Sequence, residues 1–234
     1  MRDIKVIVFD ADDTLWDIQS YFDRAEDIFT DELKEYGKAE ELSEILYRTE
    51  SANMPVLGYG AKAVCISMVE TALAVSDGKV SGDSLMRILS AAKSLLSLPA
   101  TPLPGVVETL KALKGQGRYR LTVLTKGDLL DQENKLRRSG LGEYFDNVVV
   151  VSEKGRKEYL DLCRSESVAP SEMAMVGNSF KSDIIPVVEI GGRGIYIPSH
   201  SIWRHEVVEE FSHPNIVRLD SFAEILPLLG LAIR

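Results

Sequence analysis

Three carboxylates and a hydroxyl lie within five residues near the start of the chain, at Asp10, Asp12, Asp13 and Thr14. They follow a short apolar run at 5–9 that has the composition of a buried parallel strand. Carboxylates this close repel one another, so their proximity is costly without a cation or hydrogen bonds. A solvated loop or a helix N-cap would also use Asp and Thr. Because loops at strand ends often carry function, we favour a chemical role over the solvated loop.

The elements that must position these residues recur in the second half of the chain. Short apolar runs with the character of strands occur at 121–124, 148–151, 173–176 and 195–197, with helical patterns between them. Strands alternating with helices of this length indicate βαβ units and a parallel sheet covered on both faces. Ligands of such sheets bind at the carboxyl ends of the strands, which is where the acidic cluster lies.

Residues from about 20 to 96 break this alternation. Apolar residues recur there at helical spacing in four stretches, without a convincing strand pattern. Ser81 is placed to cap the fourth helix, and the Pro-rich segment 98–105 is typical of a linker. We therefore predict an α/β core domain formed by residues 1–16 and 100–234, and an all-helical domain of residues 17–99 inserted after the first strand.

Four short segments at the ends of successive predicted strands form an ordered set. The first is Asp10-Ala11-Asp12-Asp13-Thr14-Leu15, and the later ones contain Thr125, Lys154, and the pair Asn178 and Asp183. In this order they resemble the four motifs of the haloacid dehalogenase-like superfamily, whose first motif usually has the form Asp-x-Asp-Gly-Thr-Leu. The resemblance spans nearly the whole chain outside the helical insertion. It implies an α/β fold, a Rossmann-like doubly wound parallel sheet with an inserted all-helical cap domain.

The resemblance also implies an activity, the Mg²⁺-dependent hydrolysis of a phosphate monoester. Asp10 would attack phosphorus and form an aspartyl-phosphate. Asp12 would protonate the leaving alkoxide and later deprotonate the attacking water. Mg²⁺ prefers oxygen ligands, and the residues that would hold it are Asp10, Asp12 through its main-chain carbonyl, Asn178 and Asp183.

Two further side chains would bind the non-bridging phosphoryl oxygens, the Thr125 hydroxyl and the Lys154 ammonium. Lys126 and Lys157 are rival cations. We prefer Lys154 because its distance to Tyr159 and to the fourth motif fits the family better.

The chain departs from the family pattern at two positions. Asp13 stands where the first motif has Gly, and Asp tolerates unusual backbone angles better than most residues, so we expect the turn to be kept. Asn178 stands where the fourth motif commonly has Asp. Asn offers one oxygen but removes a negative charge, so we expect weaker metal binding.

Other activities of the same fold stay open at this point. Dehalogenases of the superfamily also use an aspartate nucleophile, but a halide needs no proton to leave, so the presence of Asp12 favours phosphate. A phosphomutase would use the same core and a similar cap. A catalytically inactive binding homologue would account for Asn178, since fold alone does not ensure activity.

The composition of the chain limits the kinds of molecule that it is expected to bind. The 234 residues are 45% hydrophobic and 27% charged, with a net charge of −9, which argues against nucleic-acid or anionic-membrane binding. A small phosphorylated metabolite is still compatible, because a metal can reverse the local field. The two cysteines, Cys65 and Cys163, have no metal or redox spacing, and no long apolar signal or membrane-spanning stretch occurs. We therefore expect a cytoplasmic protein.

Two sets of aromatic and imidazole side chains have simpler interpretations. Trp16, where the chain leaves the core, would either line the substrate entrance or pack at a hinge. His200, His205 and His213 match no zinc signature, so we expect them on a surface loop and helix.

Overall fold

The structure, a computed structural model, describes residues 3–231. Residues 1–2 and 232–234, which the predicted core domain includes, lie outside the described residues. Two compact units are present. The core unit comprises residues 3–19, 100–126 and 136–231, and the helical unit comprises 20–99 together with 127–135. None of the helices in the described part of the chain combines the length and the hydropathy that crossing a bilayer requires.

The helices are distributed over both units. In chain order they are α1 (Gln19–Glu32), α2 (Ala39–Leu57), α3 (Ala61–Val75), α4 (Gly82–Ser94), α5 (Val106–Gln116), α6 (Leu129–Ser139), α7 (Arg156–Ser165), α8 (Ile185–Glu189) and α9 (Ile225–Leu228). A π-helix precedes α8 at Phe180–Ile184, and 3₁₀ turns occur at Leu95–Ser97, Leu141–Tyr144, Pro170–Glu172, Arg204–Glu206 and Phe222–Glu224.

The helical unit has the periodicity that the sequence predicts. Residues 20–99 are all described and contain helices and turns without a strand. Phe29, Leu42, Met68 and Ile88 are almost fully buried in it. Ser81 caps α4 as predicted, since its Oγ accepts the Ser84 N–H over 3.0 Å.

The core unit is built on a six-stranded sheet in which all neighbouring strands are parallel. Its strands are β1 (Val6–Phe9), β2 (Arg120–Lys126), β3 (Asn147–Val151), β4 (Met173–Gly177), β5 (Arg193–Tyr196) and β6 (Ile216–Arg218). Their order is β3-β2-β1-β4-β5-β6, the doubly wound arrangement. The predicted fold class is therefore confirmed, with β6 as an addition to the predicted strands.

Helices cover both faces of this sheet, so the central strand is apolar along its whole length. All four residues of β1 are completely buried. Phe9 stacks on Phe222 with ring centroids 5.8 Å apart on one face. Val8 belongs to the cluster on the other face, where Tyr159 of α7 and Val187 of α8 pack. The strand end that carries the acidic cluster is thus fixed from both sides.

The strand register brings three of the predicted motifs to one edge of the sheet. Phe9 is paired with Val123 on β2 and with Val176 on β4. Asp10 therefore emerges between the ends of β2 and β4, where the chain order of the strands reverses. Such a switch point forms a crevice at the carboxyl edge of the sheet.

Candidate active site

The first motif turns sharply as it leaves β1, and Asp13 makes the turn. Its φ of 60° lies in the left-handed region, which confirms that Asp can replace the Gly of the usual motif. The Asp13 Oδ1 atom accepts the N–H groups of Ile18 and Gln19 over 2.8 and 2.9 Å. Burial nevertheless raises the pKa of Asp13 to about 6, against the effect of these two hydrogen bonds.

A buried charge cluster lies directly beyond this turn. The Lys154 ammonium donates to Asp10 Oδ1, and to Asp183 Oδ1 over 2.8 Å. Asp10, Lys154 and Asp183 are 7%, 4% and 1% exposed, so water screens their charges weakly. One cation between two carboxylates leaves a net negative charge in this group.

Their titration reflects that balance. Burial raises the pKa of Asp10, Lys154 opposes the rise and Asp183 adds to it, with a net value of about 7. Burial lowers the pKa of Lys154, but the Asp10 and Asp183 carboxylates outweigh it and the net shift is upward. Lys154 therefore remains charged, and full ionisation of Asp10 at neutral pH calls for further positive charge nearby.

The two rival cations have other partners. Lys126 donates to Glu206 over 2.6 Å, while the Lys157 side chain is 79% exposed and pairs with Asp161 on its own helix. Of the three lysines, Lys154 is thus the one that contacts the predicted nucleophile, Asp10.

Asp183 is fixed by the loop after β4, which the motif pattern did not reveal in detail. Its Oδ2 accepts the Ser179 N–H over 3.0 Å, and the Tyr159 hydroxyl donates to the Ser182 carbonyl over 2.9 Å. Gly177 is required here, because a Cβ atom on it would lie 2.2 Å from Asp183 Oδ2. The missing side chain at 177 makes room for the carboxylate.

On the other side of Asp10 a second group of polar atoms converges. The Thr14 hydroxyl donates to Asp10 Oδ2 over 3.1 Å and accepts the Asn178 main-chain N–H over 3.1 Å. One of the two terminal atoms of the Asn178 amide lies 3.0 Å from Thr14 Oγ1, 3.2 Å from Asp10 Oδ2 and 3.2 Å from the Asp12 carbonyl oxygen. Either the nitrogen or the oxygen of the amide can occupy this position.

The geometry of this second group fits the predicted cation. With the amide oxygen at this position, it lies 3.2 Å from Asp10 Oδ2 and 3.2 Å from the Asp12 carbonyl oxygen. Neighbouring ligands in an octahedron with bonds of about 2.1 Å have a spacing of roughly 3 Å. Three such oxygens repel one another without a cation between them, whereas the nitrogen can face inward when no cation is bound. No cluster of three or more His, Cys, Asp or Glu side chains suited to a metal occurs within residues 3–231. The proposed set relies instead on a carbonyl and an amide oxygen.

The remaining predicted residues also lie at this edge. The Asp12 carboxylate accepts the Trp16 indole N–H over 2.8 Å, and Trp16 is 1% exposed. Burial of this ring supports the packing interpretation rather than a place at the substrate entrance. Thr125 is buried at the end of β2, and its hydroxyl makes a long 3.5 Å contact with the Lys126 carbonyl. Its proton is only weakly held there.

Comparison with known proteins agrees with the motifs. The model of the haloacid dehalogenase-like hydrolase family matches residues 4–191. This chain belongs to that family. A haloacid dehalogenase-like family hydrolase from Xanthomonas campestris superposes with a TM-score of 0.86 and 31% identity, over 97% of this chain and 92% of that one.

Two curated relatives of this haloacid dehalogenase-like hydrolase match over shorter stretches. A glyceraldehyde 3-phosphate phosphatase of Methanothermobacter thermautotrophicus is 29% identical over 133 residues, 55% of this chain and 58% of that protein. The pyrimidine 5'-nucleotidase YjjG of Escherichia coli is 32% identical over 106 residues, 43% of this chain and 46% of that protein. The matches thus span about half the length of these relatives.

Proposed function

We propose that this hydrolase is a cytoplasmic, Mg²⁺-dependent phosphohydrolase that cleaves a small phosphorylated metabolite through an aspartyl-phosphate on Asp10. The observation that carries the proposal is the pair of environments around the Asp10 carboxylate. Oδ1 accepts from the buried Lys154 ammonium, while Oδ2 lies 3.2 Å from the Asn178 amide, which is also 3.2 Å from the Asp12 carbonyl oxygen. The free thiols of Cys65 and Cys163 agree with a reducing compartment.

In the first step, Asp10 Oδ1 attacks phosphorus and the bond between phosphorus and the ester oxygen breaks. The Asp12 carboxyl gives its proton to the leaving alkoxide, a contribution of roughly 10²- to 10⁴-fold to the rate. The indole of Trp16 holds this carboxyl in one orientation. Lys154 and Thr125 donate to the non-bridging oxygens and stabilise the charge that spreads over them.

In the second step, the ionised Asp12 takes a proton from water, whose oxygen attacks phosphorus and releases Asp10. Asp10, the Asp12 carbonyl, Asn178 and Asp183 would hold the Mg²⁺ ion, which when bound would supply positive charge to neutralise the phosphoryl group. Lys154 keeps Asp183 and Asp10 together through both steps, since it contacts both carboxylates.

We further propose that residues 17–99 act as a cap that selects the substrate. The helical unit provides several exposed apolar side chains, among them Val56, Ile66 and Met86. An alanine scan of exposed cap positions tests this role. Variants that change kcat/KM among esters, with unaltered inhibition by inorganic phosphate, support it, and a scan without any change in selectivity contradicts it.

The activity itself is tested by a screen of phosphorylated metabolites and an aryl phosphate, with phosphate release measured in Mg²⁺ and in chelator. We expect release that depends on Mg²⁺. Halide release from 2-haloacids would identify a dehalogenase, and phosphoryl transfer to a second hydroxyl of a sugar phosphate would identify a mutase. Binding of Mg²⁺ without turnover of any ester would favour an inactive homologue.

A further inference from the structure

The carboxylate of Glu206 connects two loops that belong to different strands. Its Oε1 accepts from Lys126, at the end of β2, over 2.6 Å. Its Oε2 accepts the hydroxyl protons of Ser179 and of Ser182, the latter over 2.6 Å. Both serines lie in the segment after β4, where Ser179 caps the π-helix that contains Ser182. Glu206 itself ends the 3₁₀ turn Arg204–Glu206 beyond β5. The end of β2, the segment after β4 and the segment after β5 thus meet at one side chain.

These two loops are not neighbours in the sheet, because β1 lies between β2 and β4. Adjacent strands are separated by about 4.8 Å, so β2 and β4 are roughly 10 Å apart. The long side chain of Lys126 bridges this distance, donating to Ser182 Oγ over 2.9 Å as well as to Glu206. The connection therefore passes beside the strand end that carries Asp10.

Because the ion pair of Lys126 and Glu206 is largely buried, a contribution to stability does not by itself explain it. The Lys126 and Glu206 side chains are 13% and 11% exposed. Buried ion pairs are costly to desolvate, and replacing them by apolar residues is often neutral or stabilising. Burial raises the pKa of Glu206, but the Lys126 charge and the hydrogen bonds from Lys126, Ser179 and Ser182 outweigh it, so the net pKa is lowered. The site thus favours ionised Glu206.

The contacts continue from Glu206 to the charge cluster. Ser179 Oγ, which donates to Glu206, also accepts the Ser182 N–H over 3.0 Å. The Ser179 main-chain N–H donates to Asp183 Oδ2, and the other oxygen of Asp183 accepts from Lys154. Each residue in this series, from Glu206 through Ser179 to Asp183, is hydrogen-bonded to the next. The position of Ser179 therefore sets that of Asp183.

We propose that Glu206 is a positioning residue. It fixes the loop that presents Asp183 relative to the strand end that presents Thr125, and so sets the distance between the metal-binding and phosphate-binding sides of the site. Its effect on turnover rests on the proposed phosphohydrolase function, whereas its effect on loop order does not.

The experiment compares the Glu206→Ala and Glu206→Gln variants with Glu210→Gln. Glu210 lies four residues further along the same segment, and it pairs with Tyr196 and Arg218 on β5 and β6. It is thus a matched control for loss of a charge. Amide hydrogen exchange of segments 124–127 and 177–183 and the Mg²⁺ requirement for aryl phosphate hydrolysis are measured for each protein.

For Glu206→Ala we expect amide exchange to rise at least tenfold in both segments, because the charge-assisted hydrogen bonds to Glu206 are lost. The Mg²⁺ concentration for half-maximal activity should rise roughly tenfold, while the KM for the ester changes less. Glu206→Gln keeps an acceptor, so its amide exchange and its Mg²⁺ requirement should rise less than those of Glu206→Ala. Glu210→Gln should resemble the wild type in both measurements.

Unchanged exchange in both segments would overturn the positioning role. So would a general loss of stability with a wild-type Mg²⁺ requirement, since that pattern marks a merely structural contact. If the wild type releases no phosphate from any ester, the proposed function fails, and the exchange of the two segments alone decides the role of Glu206. Should Glu206→Ala not fold, the comparison of Glu206→Gln with Glu210→Gln decides it.

Discussion

The Trp16 indole donates its N–H to the Asp12 carboxylate over 2.8 Å, four residues back along the chain. The ring is buried, and the Trp16 backbone forms one isolated bridge with Asp12 and another with Pro102, which joins the segments that enter and leave the helical unit. Packing of a core residue thus sets the orientation of the proposed general acid.

Replacing Trp16 by Phe keeps an aromatic ring but removes that donor. We expect kcat to fall roughly 10- to 100-fold for an alkyl phosphate, because a hydrogen bond to a charged group contributes about 1.5–3 kcal/mol. An aryl phosphate, whose leaving group departs without a proton, should lose much less. Steady-state kinetics on the two esters measures the difference, and equal losses on both would contradict the link between Trp16 and Asp12.

Gly177→Ala should disrupt the charge cluster without changing any charge. The new Cβ would meet Asp183 Oδ2 at 2.2 Å, so the carboxylate must move away from Ser179 and Lys154. We expect activity to fall at least 100-fold and Mg²⁺ binding, measured by calorimetry, to weaken. Gly115→Ala serves as the control, because its Cβ would meet nothing within 4 Å on helix α5. That variant should gain about 0.5–1 kcal/mol of stability. Wild-type activity in Gly177→Ala would contradict the assigned place of Asp183.

Asn178→Asp should lower the Mg²⁺ concentration for half-maximal activity by roughly three- to tenfold, because it adds a charged ligand to the set. Asp183→Asn should raise that concentration sharply. A Mg²⁺ titration of phosphate release measures both, with Asn215→Asp as a control for the added charge in the loop before β6. An unaltered requirement in Asn178→Asp would place residue 178 outside the reach of the ion, and full activity in chelator would exclude metal dependence.

Asp13 should make stability depend on pH in a defined direction. Its pKa is raised from 3.8 to about 6, so the folded state favours the protonated acid. Its contribution to stability is complete below about pH 4 and is lost as pH rises through about 6. Asp13→Asn, which keeps the acceptor and suits the left-handed backbone, should therefore stabilise the protein by about 1–3 kcal/mol at pH 8.

At pH 4 the same substitution should have little effect. Thermal unfolding in chelator at both pH values measures the difference. Asp77→Asn, at an exposed residue with a φ of 51°, controls for replacing Asp at a left-handed position. A gain for Asp13→Asn that is the same at both pH values would contradict the assignment to ionisation.

The sequence predicts those parts of the fold that depend on local patterns. Apolar runs predict the strand that contains Thr125 and the strands that precede Asp10 and Asp183, and the register of a parallel sheet then brings the ends of these strands together. Strand β6 was missed because it has three residues, all at least partly exposed, and so lacks the apolar run of a buried strand.

Contacts across the chain were beyond such patterns. Glu206 lies in an irregular segment, and its partner Lys126 is 80 residues away in sequence, so neither periodicity nor spacing relates them. The hydrogen bond from the Ser179 N–H to Asp183 spans only four residues, but its geometry depends on the π-helical turn at Phe180–Ile184, which apolar periodicity does not reveal. The contact between Thr14 and Asp10 was predictable from the sequence, because Thr14 belongs to the first motif and its hydroxyl donates to Asp10.

The most direct test of the account is to trap the covalent intermediate. The wild type, Asp10→Asn and Asp12→Asn are each mixed with an aryl phosphate and Mg²⁺, quenched in acid, digested and analysed by mass spectrometry. We predict one phosphoryl group on Asp10 in the wild type and a larger labelled fraction in Asp12→Asn, because the latter cannot activate water for release. Asp10→Asn should be folded, unlabelled and inactive. Substantial turnover by Asp10→Asn would contradict the covalent mechanism. So would hydrolysis by the wild type if no phosphoryl group were found on Asp10 in the wild type or in Asp12→Asn.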